Sequence, residues 1–211
     1  MSGIDITDLP SLLRVLTSLH NQGASHVLIT SVELPTSDLQ KIGATSTLPL
    51  ANGSQVSAMT LVGSSVSRQP ASKEHSEPTL EPWFIQFPEI PGYFSGVGDL
   101  FAALTLGRFQ SSSSSSDPSP SITPIARAAE LAIASVQGVL AKTMEATAQT
   151  PAIELGSFSF STSEEAAAQE KVETMRRREL RIIQSRKELE QPSVQYRAQR
   201  IPKGAMLPAQ P

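Results

Sequence analysis

Three polar stretches divide this chain and limit how much of it can enter a hydrophobic core. Residues 64–82 are rich in Ser, Pro and charge, which predicts a surface insertion. Residues 110–121 form a Ser-rich run that predicts a disordered linker, and residues 147–163 predict a further loop. Outside these stretches roughly 150 residues remain, which is enough for one modest core, so we expect a single domain over 1–211.

The composition excludes several classes of protein. The sequence has no Cys, and therefore no disulfide framework, thiolate zinc site or cysteine nucleophile, and its 3 His are scattered. No apolar run reaches the roughly 18 residues that a membrane helix needs, and the first residues lack the pattern of a signal peptide. With 17 Lys and Arg against 20 Asp and Glu, the net charge of -3 argues against general nucleic-acid binding. We therefore expect a protein of the cytoplasm, with the nucleus left open, that binds neither membranes nor nucleic acids.

The first local patterns favour the α/β class. Residues 7–22 carry Leu at helical spacing after a cap at Thr7 or Asp8, and Gly23 is a natural end for that helix. The sequence HVLITS at 26–31 follows as a short strand of the buried type. A helix that leads into such a strand is typical of α/β proteins.

Later patterns extend this prediction along the chain. Strands are predicted at 55–63 and 83–90, a long Ala-rich helix at 124–146 and another helix around 164–178. The sequence ELRIIQS at 179–185 predicts a strand or an extended tail. These elements predict helices that flank a mainly parallel sheet, with ligands bound at the carboxyl ends of its strands.

The sharpest chemical signal is FSGVGDLFAA at 94–103. Gly96 and Gly98 flank Val97 before a predicted helix, and glycines allow successive backbone N–H groups to point to one side. The helix N-terminus adds partial positive charge, so the turn can hold a phosphate. Asp99 is then suited to accept a proton from an attacking hydroxyl. A helix cap explains the same residues, because Asp is a favoured N-cap residue.

Three segments, in this order, resemble the pyridoxal kinases of the ribokinase-like superfamily. The sequence at 94–103 resembles the G-T-G-D anion-hole motif of that family, and HVLITSVELP at 26–35 resembles its V-I-T-S-x-E/D-L-P strand and loop. ELRIIQSRKELEQPSVQYRAQRI at 179–201 resembles its C-terminal ending, and the helix at 124–146 falls where the family has one. The resemblance implies part of a three-layer sandwich in which helices flank a mainly parallel sheet.

The resemblance also implies an activity: ATP-dependent phosphorylation of the 5′-hydroxymethyl group of pyridoxal and related B6 vitamers. Asp99 matches the catalytic base of the family, and Gly96–Gly98 match the anion hole. Thr30 and Ser31 match positions that contact the nucleotide phosphates and, in some members, a monovalent cation such as K⁺. Alternatively, the two residues are the polar end of a strand, and their hydroxyls form hydrogen bonds within their own loop. Mg²⁺ is implied with ATP, its protein ligands are unknown, and a homodimer is left open.

Two departures from the family pattern bear on activity. Val97 stands where the family usually has Thr, so the backbone N–H is kept but a hydroxyl donor is lost, which can cost on the order of 1–3 kcal/mol. The resemblance covers only the C-terminal half of the family's sequence, without the half that supplies its pyridoxal pocket, lid and first strands. We therefore expect a truncated gene model or a short isoform.

Two alternatives to an active pyridoxal kinase remain. One is a catalytically inactive kinase fragment that acts as a binding or regulatory partner of another chain, which the missing half and Val97 favour. The other is a different ribokinase-like vitamin kinase, such as a hydroxymethylpyrimidine kinase, which shares the G-x-G-D core. The ELRIIQS sequence at 179–185 favours a pyridoxal kinase over the second alternative.

Overall fold

The structure, a computed structural model, describes residues 2–50, 52–66, 80–109, 122–149 and 179–206. Several sequence predictions fall outside these ranges: the middle of the insertion at 64–82, the linker at 110–121, most of the loop at 147–163 and the helix at 164–178. Within the described ranges, no helix is both long and apolar enough to cross a membrane.

Helices and strands are interspersed along the chain, which confirms the predicted α/β class. The helices are α1 (Leu9–Asn21), α2 (Thr36–Ile42), α3 (Val97–Arg108), α4 (Pro124–Gln149) and α5 (Arg186–Glu190). The strands are β1 (His26–Ile29), β2 (Thr47–Pro49), β3 (Gln55–Val66), β4 (Leu80–Pro88) and β5 (Gln199–Arg200), and a 3-10 helix covers Lys203–Met206.

The chain divides into two compact units. The first consists of Met1–Glu89, Phe109–Glu130 and Tyr196–Pro211, and the second of Ile90–Arg108 and Leu131–Gln195. Every described strand belongs to the first unit. The single domain expected from the sequence stays a prediction.

Helix α1 begins as its sequence predicts. The Asp8 side chain accepts the Ser11 N–H at 2.8 Å, and the Ser11 hydroxyl oxygen in turn accepts the Asp8 N–H at 3.0 Å. This reciprocal capping box satisfies two N–H groups that a helix start leaves without partners. Pro10 occupies the first turn, where its missing N–H costs nothing.

The sheet is antiparallel, with β3 paired to three neighbours. β1, β2 and β4 each pair antiparallel with β3, and β5 pairs antiparallel with β4. The order is β1-β3-β4-β5, with β2 beside β3 off this path. The mainly parallel sheet predicted from the sequence is therefore wrong for the described strands. An apolar run identifies a strand but not its direction, and antiparallel pairs are the commoner kind.

The insertion predicted at 64–82 includes residues at both of its ends that belong to strands in the structure. β3 continues to Val66, β4 begins at Leu80, and these two residues are paired across the ladder. The polar residue Ser64 enters the strand because its fully buried hydroxyl lies 2.6 Å from His20 Nε2. A buried hydroxyl with a partner is compatible with a core position, which a composition rule cannot foresee.

The core of the first unit lies between α1, α2 and one side of the sheet. Its buried members are Leu9, Leu12, Leu16, Val27, Val32, Leu39, Ile42, Ala44, Val62, Phe84 and Ile201. Trp83 and Gly63 face each other across the β3–β4 ladder, and a Cβ built on Gly63 would collide with the indole ring. The glycine therefore makes room for a fully buried Trp83 in the middle of the sheet.

The second unit contains α3, most of α4 and the segment that carries α5. The strand or extended tail predicted at 179–185 is wrong, because this segment forms a turn in which the Ser185 N–H reaches the carbonyls of Arg181 at 3.0 Å and Ile182 at 3.1 Å. Ile183 is 88% exposed, so the apolar pair that suggested a strand does not enter a sheet.

Helix α4 runs three residues beyond its predicted end at residue 146. The predicted loop at 147–163 therefore begins too early, and its described part, Thr147 to Gln149, is helical. The Thr147 hydroxyl donates to the Thr143 carbonyl at 2.8 Å, one turn earlier. The threonine hydroxyl thus has a partner within the helix itself.

Candidate functional site

The glycine turn before α3 contains one glycine in a left-handed conformation. Gly96 has φ +84°, a left-handed conformation that favours glycine, and its carbonyl accepts the Leu100 N–H at 2.9 Å. Gly96 is therefore the last residue before the helix, and α3 begins at Val97, earlier than the predicted start near Asp99. The N–H groups of the first helical turn have no partners within the helix, so they are free to bind an anion.

Asp99 lies in the first turn of α3 rather than in front of it. It is the third residue of the helix, so its predicted alternative role as the N-cap residue is wrong. Its side chain is exposed, and it makes no hydrogen bond or ion pair with any residue that the structure describes. A carboxylate here is favoured by the helix dipole and is accessible to a ligand.

Gly96 and Gly98 differ in the side chains that could replace them. At Gly96 the positive φ excludes most side chains, whereas Gly98 has no such constraint. A Cβ built on Gly98 would have no described atom within 4 Å, so that side of the turn is open. Gly96 thus shapes the turn, and Gly98 keeps its outer side clear for a ligand.

The opposite end of α3 is fixed by Arg108. Its guanidinium donates to the Leu131 carbonyl at 2.5 Å, the Ser135 hydroxyl at 2.9 Å and the Leu189 carbonyl at 2.5 Å. Burial lowers the pKa of Arg108 from its ordinary value, although an arginine remains charged at neutral pH. These three bonds hold α3 in place within the second unit.

Thr30 and Ser31 follow β1 in the first unit. Ser31 has φ +57°, and within the described ranges it is the one residue other than glycine with a positive φ. The next residue, Val32, donates its N–H to the Thr60 carbonyl at 2.8 Å, so the turn at Ser31 returns the chain to β3. Such a conformation costs on the order of 1–3 kcal/mol, and strain of this kind is concentrated at functional sites.

The hydroxyl groups of this turn remain available to a ligand. Both side chains are exposed, and the Ser31 hydroxyl donates only a weak bond to Met59 Sδ at 3.7 Å. The Thr30 hydroxyl has no hydrogen-bond partner among the residues described. The alternative, in which both hydroxyls form hydrogen bonds within their own loop, therefore has little support.

A polar cluster that the sequence analysis missed lies at the same edge of the sheet. β1 and β4 both run antiparallel to β3, so their carboxyl ends share one edge. There the Gln86 amide donates to Thr60 Oγ1 at 3.0 Å and to the Thr45 carbonyl at 2.7 Å, and it accepts the Thr45 N–H at 3.0 Å. The available signal in the sequence was a Gln at an interior position of the mainly apolar strand β4.

The predicted site residues therefore lie in two places. Thr30 and Ser31 belong to the first unit, and Gly96–Asp99 form one turn in the second. The chemical roles of all six residues stay predictions. The described ranges contain no group of three or more acidic or His side chains that could hold a metal ion, so no metal ligand is assigned.

Comparison with known proteins identifies the fold. No family model and no curated protein matches the sequence. Among solved structures, pyridoxal kinase from Leishmania donovani in complex with ADP and pyridoxamine has a TM-score of 0.55 and 19% identity, and the match covers 95% of this chain and 48% of that chain. Pyridoxal kinase from Trypanosoma brucei has a TM-score of 0.51 and 21% identity, over 95% of this chain and 47% of that chain.

A third solved structure agrees. Plasmodium falciparum PdxK with ligands AMP-PNP and PL has a TM-score of 0.50 and 13% identity, over 94% of this chain and 45% of that chain. The described fold is thus similar to part of the pyridoxal kinase fold, as the sequence motifs predicted. The chain spans about half the length of the structures that it matches.

Proposed function

We propose that this chain contributes the phosphoryl-transfer site of an ATP-dependent pyridoxal kinase, which phosphorylates the 5′-hydroxymethyl group of pyridoxal in vitamin B6 salvage. The observation that carries the proposal is the turn at Gly96, which leads into α3 with an exposed Asp99 in its first turn. That turn occurs in a fold similar to structures of pyridoxal kinases, one of them holding ADP and pyridoxamine.

The turn supplies the groups that phosphoryl transfer needs most, which are fixed donors for negative charge. The backbone N–H groups at the start of α3 bind the transferred phosphoryl group, and the helix dipole adds to their positive potential. Val97 contributes only its backbone N–H, because its side chain has no donor. The open space beside Gly98 is the side from which the phosphoryl group approaches.

Asp99 acts as the base in the proposed step. Its carboxylate takes the proton of the 5′-hydroxyl, and the hydroxyl oxygen forms a bond to the γ-phosphorus of ATP. The bond from that phosphorus to the β–γ bridging oxygen breaks, and ADP leaves with the electron pair. The exposed position of Asp99 and the absence of a described ion-pair partner support this role.

Thr30 and Ser31 bind the nucleotide phosphates in this proposal. Their exposed hydroxyls and the strained backbone at Ser31 support a binding role for this turn. We take Mg²⁺ to arrive with ATP, because Mg²⁺ is commonly held by substrate phosphates and one or two carboxylates. A K⁺ ion near Thr30 follows from the sequence resemblance alone.

One observation favours a second candidate function. The chain spans about half of the matched kinases, and phosphoryl transfer depends on exact alignment of donor and acceptor. A chain that lacked an acceptor pocket would bind nucleotide without transferring phosphate. In that case the chain acts as a binding or regulatory partner of another polypeptide.

The test is an assay of the 211-residue chain with ATP, Mg²⁺ and pyridoxal, in which pyridoxal 5′-phosphate is measured. Asp99→Asn should lower the rate by about 10²- to 10⁴-fold, the usual contribution of a general base. Asp5→Asn is the matched control, because Asp5 is also an exposed aspartate, and it should retain the rate.

Two results would contradict the catalytic proposal. One is a folded wild-type chain that forms no pyridoxal 5′-phosphate, and the other is an Asp99→Asn variant with an unchanged rate. A chain that binds ATP but forms no product supports the second candidate function instead. A panel with pyridoxine, pyridoxamine and hydroxymethylpyrimidine distinguishes the two kinds of vitamin kinase.

A further inference from the structure

The segment 179–190 is fastened to α4 by a buried threonine. Thr143 is completely buried, and its hydroxyl donates to the Val139 carbonyl at 2.8 Å. The same hydroxyl oxygen accepts the backbone N–H of Arg181 at 3.1 Å. A single side chain thus satisfies two backbone groups and fixes where the segment begins to follow the helix.

Further contacts fasten the segment to α4 along its length. Lys142 Nζ donates to the Gln184 carbonyl at 3.0 Å and lies 2.9 Å from Glu188 Oε2. The Ser135 hydroxyl donates to the Glu188 carbonyl at 2.6 Å. At Gly138 a Cβ would lie only 2.7 Å from Glu188 Cγ, so this glycine is what allows the segment to approach so closely.

The same segment lies near both ends of α3. At the start of the helix, Leu180 Cδ1 lies 3.9 Å from the position that a Cβ on Gly96 would occupy, so the leucine side chain lies beside the turn. At the end of the helix, Arg108 donates to the Leu189 carbonyl at 2.5 Å. One segment, itself held by α4, therefore bonds to the end of α3 through Leu189 and places Leu180 beside the glycine turn at its start.

From this arrangement we infer that residues 179–190 form a brace that positions the turn Gly96–Asp99, with Thr143 and Leu180 as its positioning residues. The inference rests on the proposed function for its catalytic meaning. The turn needs such support because its glycines have no side chains with which to hold it. A displacement of about 1 Å at a transfer site can reduce the rate on the order of 100-fold.

The experiment uses the full 211-residue chain and two readouts. The first is hydrogen exchange of the Leu100 amide, whose N–H bonds to the Gly96 carbonyl at 2.9 Å and closes the turn, and it needs no ligand. The second is the Kd for ATP with Mg²⁺. The test variant is Thr143→Val, which keeps the shape of the side chain but removes the hydroxyl that Arg181 uses.

Two controls separate positioning from a general loss of stability. Thr143→Ser keeps the hydroxyl and should restore wild-type values. Thr17→Val removes a hydroxyl that donates to the Leu13 carbonyl at 2.9 Å in α1, a bond of the same kind that lies outside this segment. It should leave both readouts of the turn unchanged.

If residues 179–190 position the turn, the Leu100 amide of Thr143→Val should exchange faster, and ATP binding should be about 2- to 12-fold weaker, the range for one hydrogen bond. Unchanged amide exchange in that variant overturns the inference, as does a failure of Thr143→Ser to restore it. If Thr143→Val does not fold, Leu180→Ala takes its place with the same expected result. Faster exchange without ATP binding by any variant, wild type included, supports the brace and contradicts the proposed function.

Discussion

Glu130 Oε1 accepts the backbone N–H of Ala198 at 2.9 Å, which ties the C-terminal segment of the first unit to α4. The Glu130 carboxylate is 1% exposed, and Arg197 Nη1 donates to its other oxygen at 3.0 Å. Strand β5 begins at the very next residue and pairs with β4. This buried carboxylate therefore fixes the point at which the end of the chain joins the sheet.

Two substitutions should separate the two roles of Glu130, which are to accept the Ala198 N–H and to provide a negative charge. Glu130→Ala leaves the Ala198 N–H without its acceptor, which should lower the free energy of unfolding by about 1–3 kcal/mol. Glu130→Gln keeps an acceptor for that N–H and loses the charge opposite Arg197 and Arg127, so its loss should be smaller than that of Glu130→Ala. Urea unfolding of the two variants measures the difference. Equal losses would mean that the charge, rather than the bond to Ala198, fixes this segment.

The close approach of Gly63 and Trp83 gives a second prediction. Gly63→Ala puts a methyl group into the indole ring, so it should destabilise the chain by about 1–3 kcal/mol through overpacking. Gly107→Ala is the matched control, because a Cβ there meets no described atom and Ala is the better helix former by about 0.5–1 kcal/mol. Thermal unfolding should show opposite shifts, and a stable Gly63→Ala variant would contradict the packing described for β3 and β4.

Much of the local structure could be predicted from the sequence, because it depends on neighbouring residues. The cap of α1 is an example, since Asp8 and Ser11 satisfy one another within one turn. The direction of the strands could not be predicted, because pairing depends on distant partners such as Val66 and Leu80. The turn at 179–185 was mistaken for a strand for the same reason: its shape depends on bonds to α4 that no local pattern contains.

The two glycines of the site should respond differently to substitution. Gly96→Ala forces a side chain into a left-handed conformation and should cost about 1–2 kcal/mol in stability. Gly98→Ala has room for its methyl group and should not destabilise the chain. If the turn binds phosphate, Gly98→Ala should nevertheless weaken ATP binding, because the methyl group occupies the open side. Unaltered ATP binding by a stable Gly98→Ala variant would exclude the phosphate from that side.

The stability of the first unit should depend on pH through Asp38. The hydrogen bond from Lys41, and a second one from the Leu9 N–H, lower the pKa of Asp38 from its ordinary value of 3.8. A carboxyl with a depressed pKa stabilises the folded state above that ordinary value and loses this contribution as the pH falls through the lower folded-state pKa. Asp38→Asn should therefore be less stable than wild type near pH 7, with a difference that shrinks below about pH 4.

Unfolding in urea across this pH range tests the assignment. Asp5→Asn serves as the control, because Asp5 is an exposed aspartate whose replacement should leave the free energy of unfolding near pH 7 unchanged. A gap between Asp38→Asn and wild type that stays constant into strong acid would mean that the ionised form of Asp38 contributes nothing to stability.

The candidate site was predictable in part. The conformation of Gly96 and the exposure of Asp99 follow from the local motif, because glycine and a helix start are local features. The strain at Ser31 was not visible, since it arises from the bond between Val32 and Thr60 on another strand.

The most direct test of the central claim compares ATP with adenosine, each with Mg²⁺, on the 211-residue chain labelled with ¹⁵N. If the start of α3 binds the phosphates, ATP should shift the amide resonances of Gly96–Asp99, and adenosine, which has no phosphates, should leave them in place. Shifts of equal size with both compounds, or none with ATP, would contradict the claim that this turn binds the phosphoryl group.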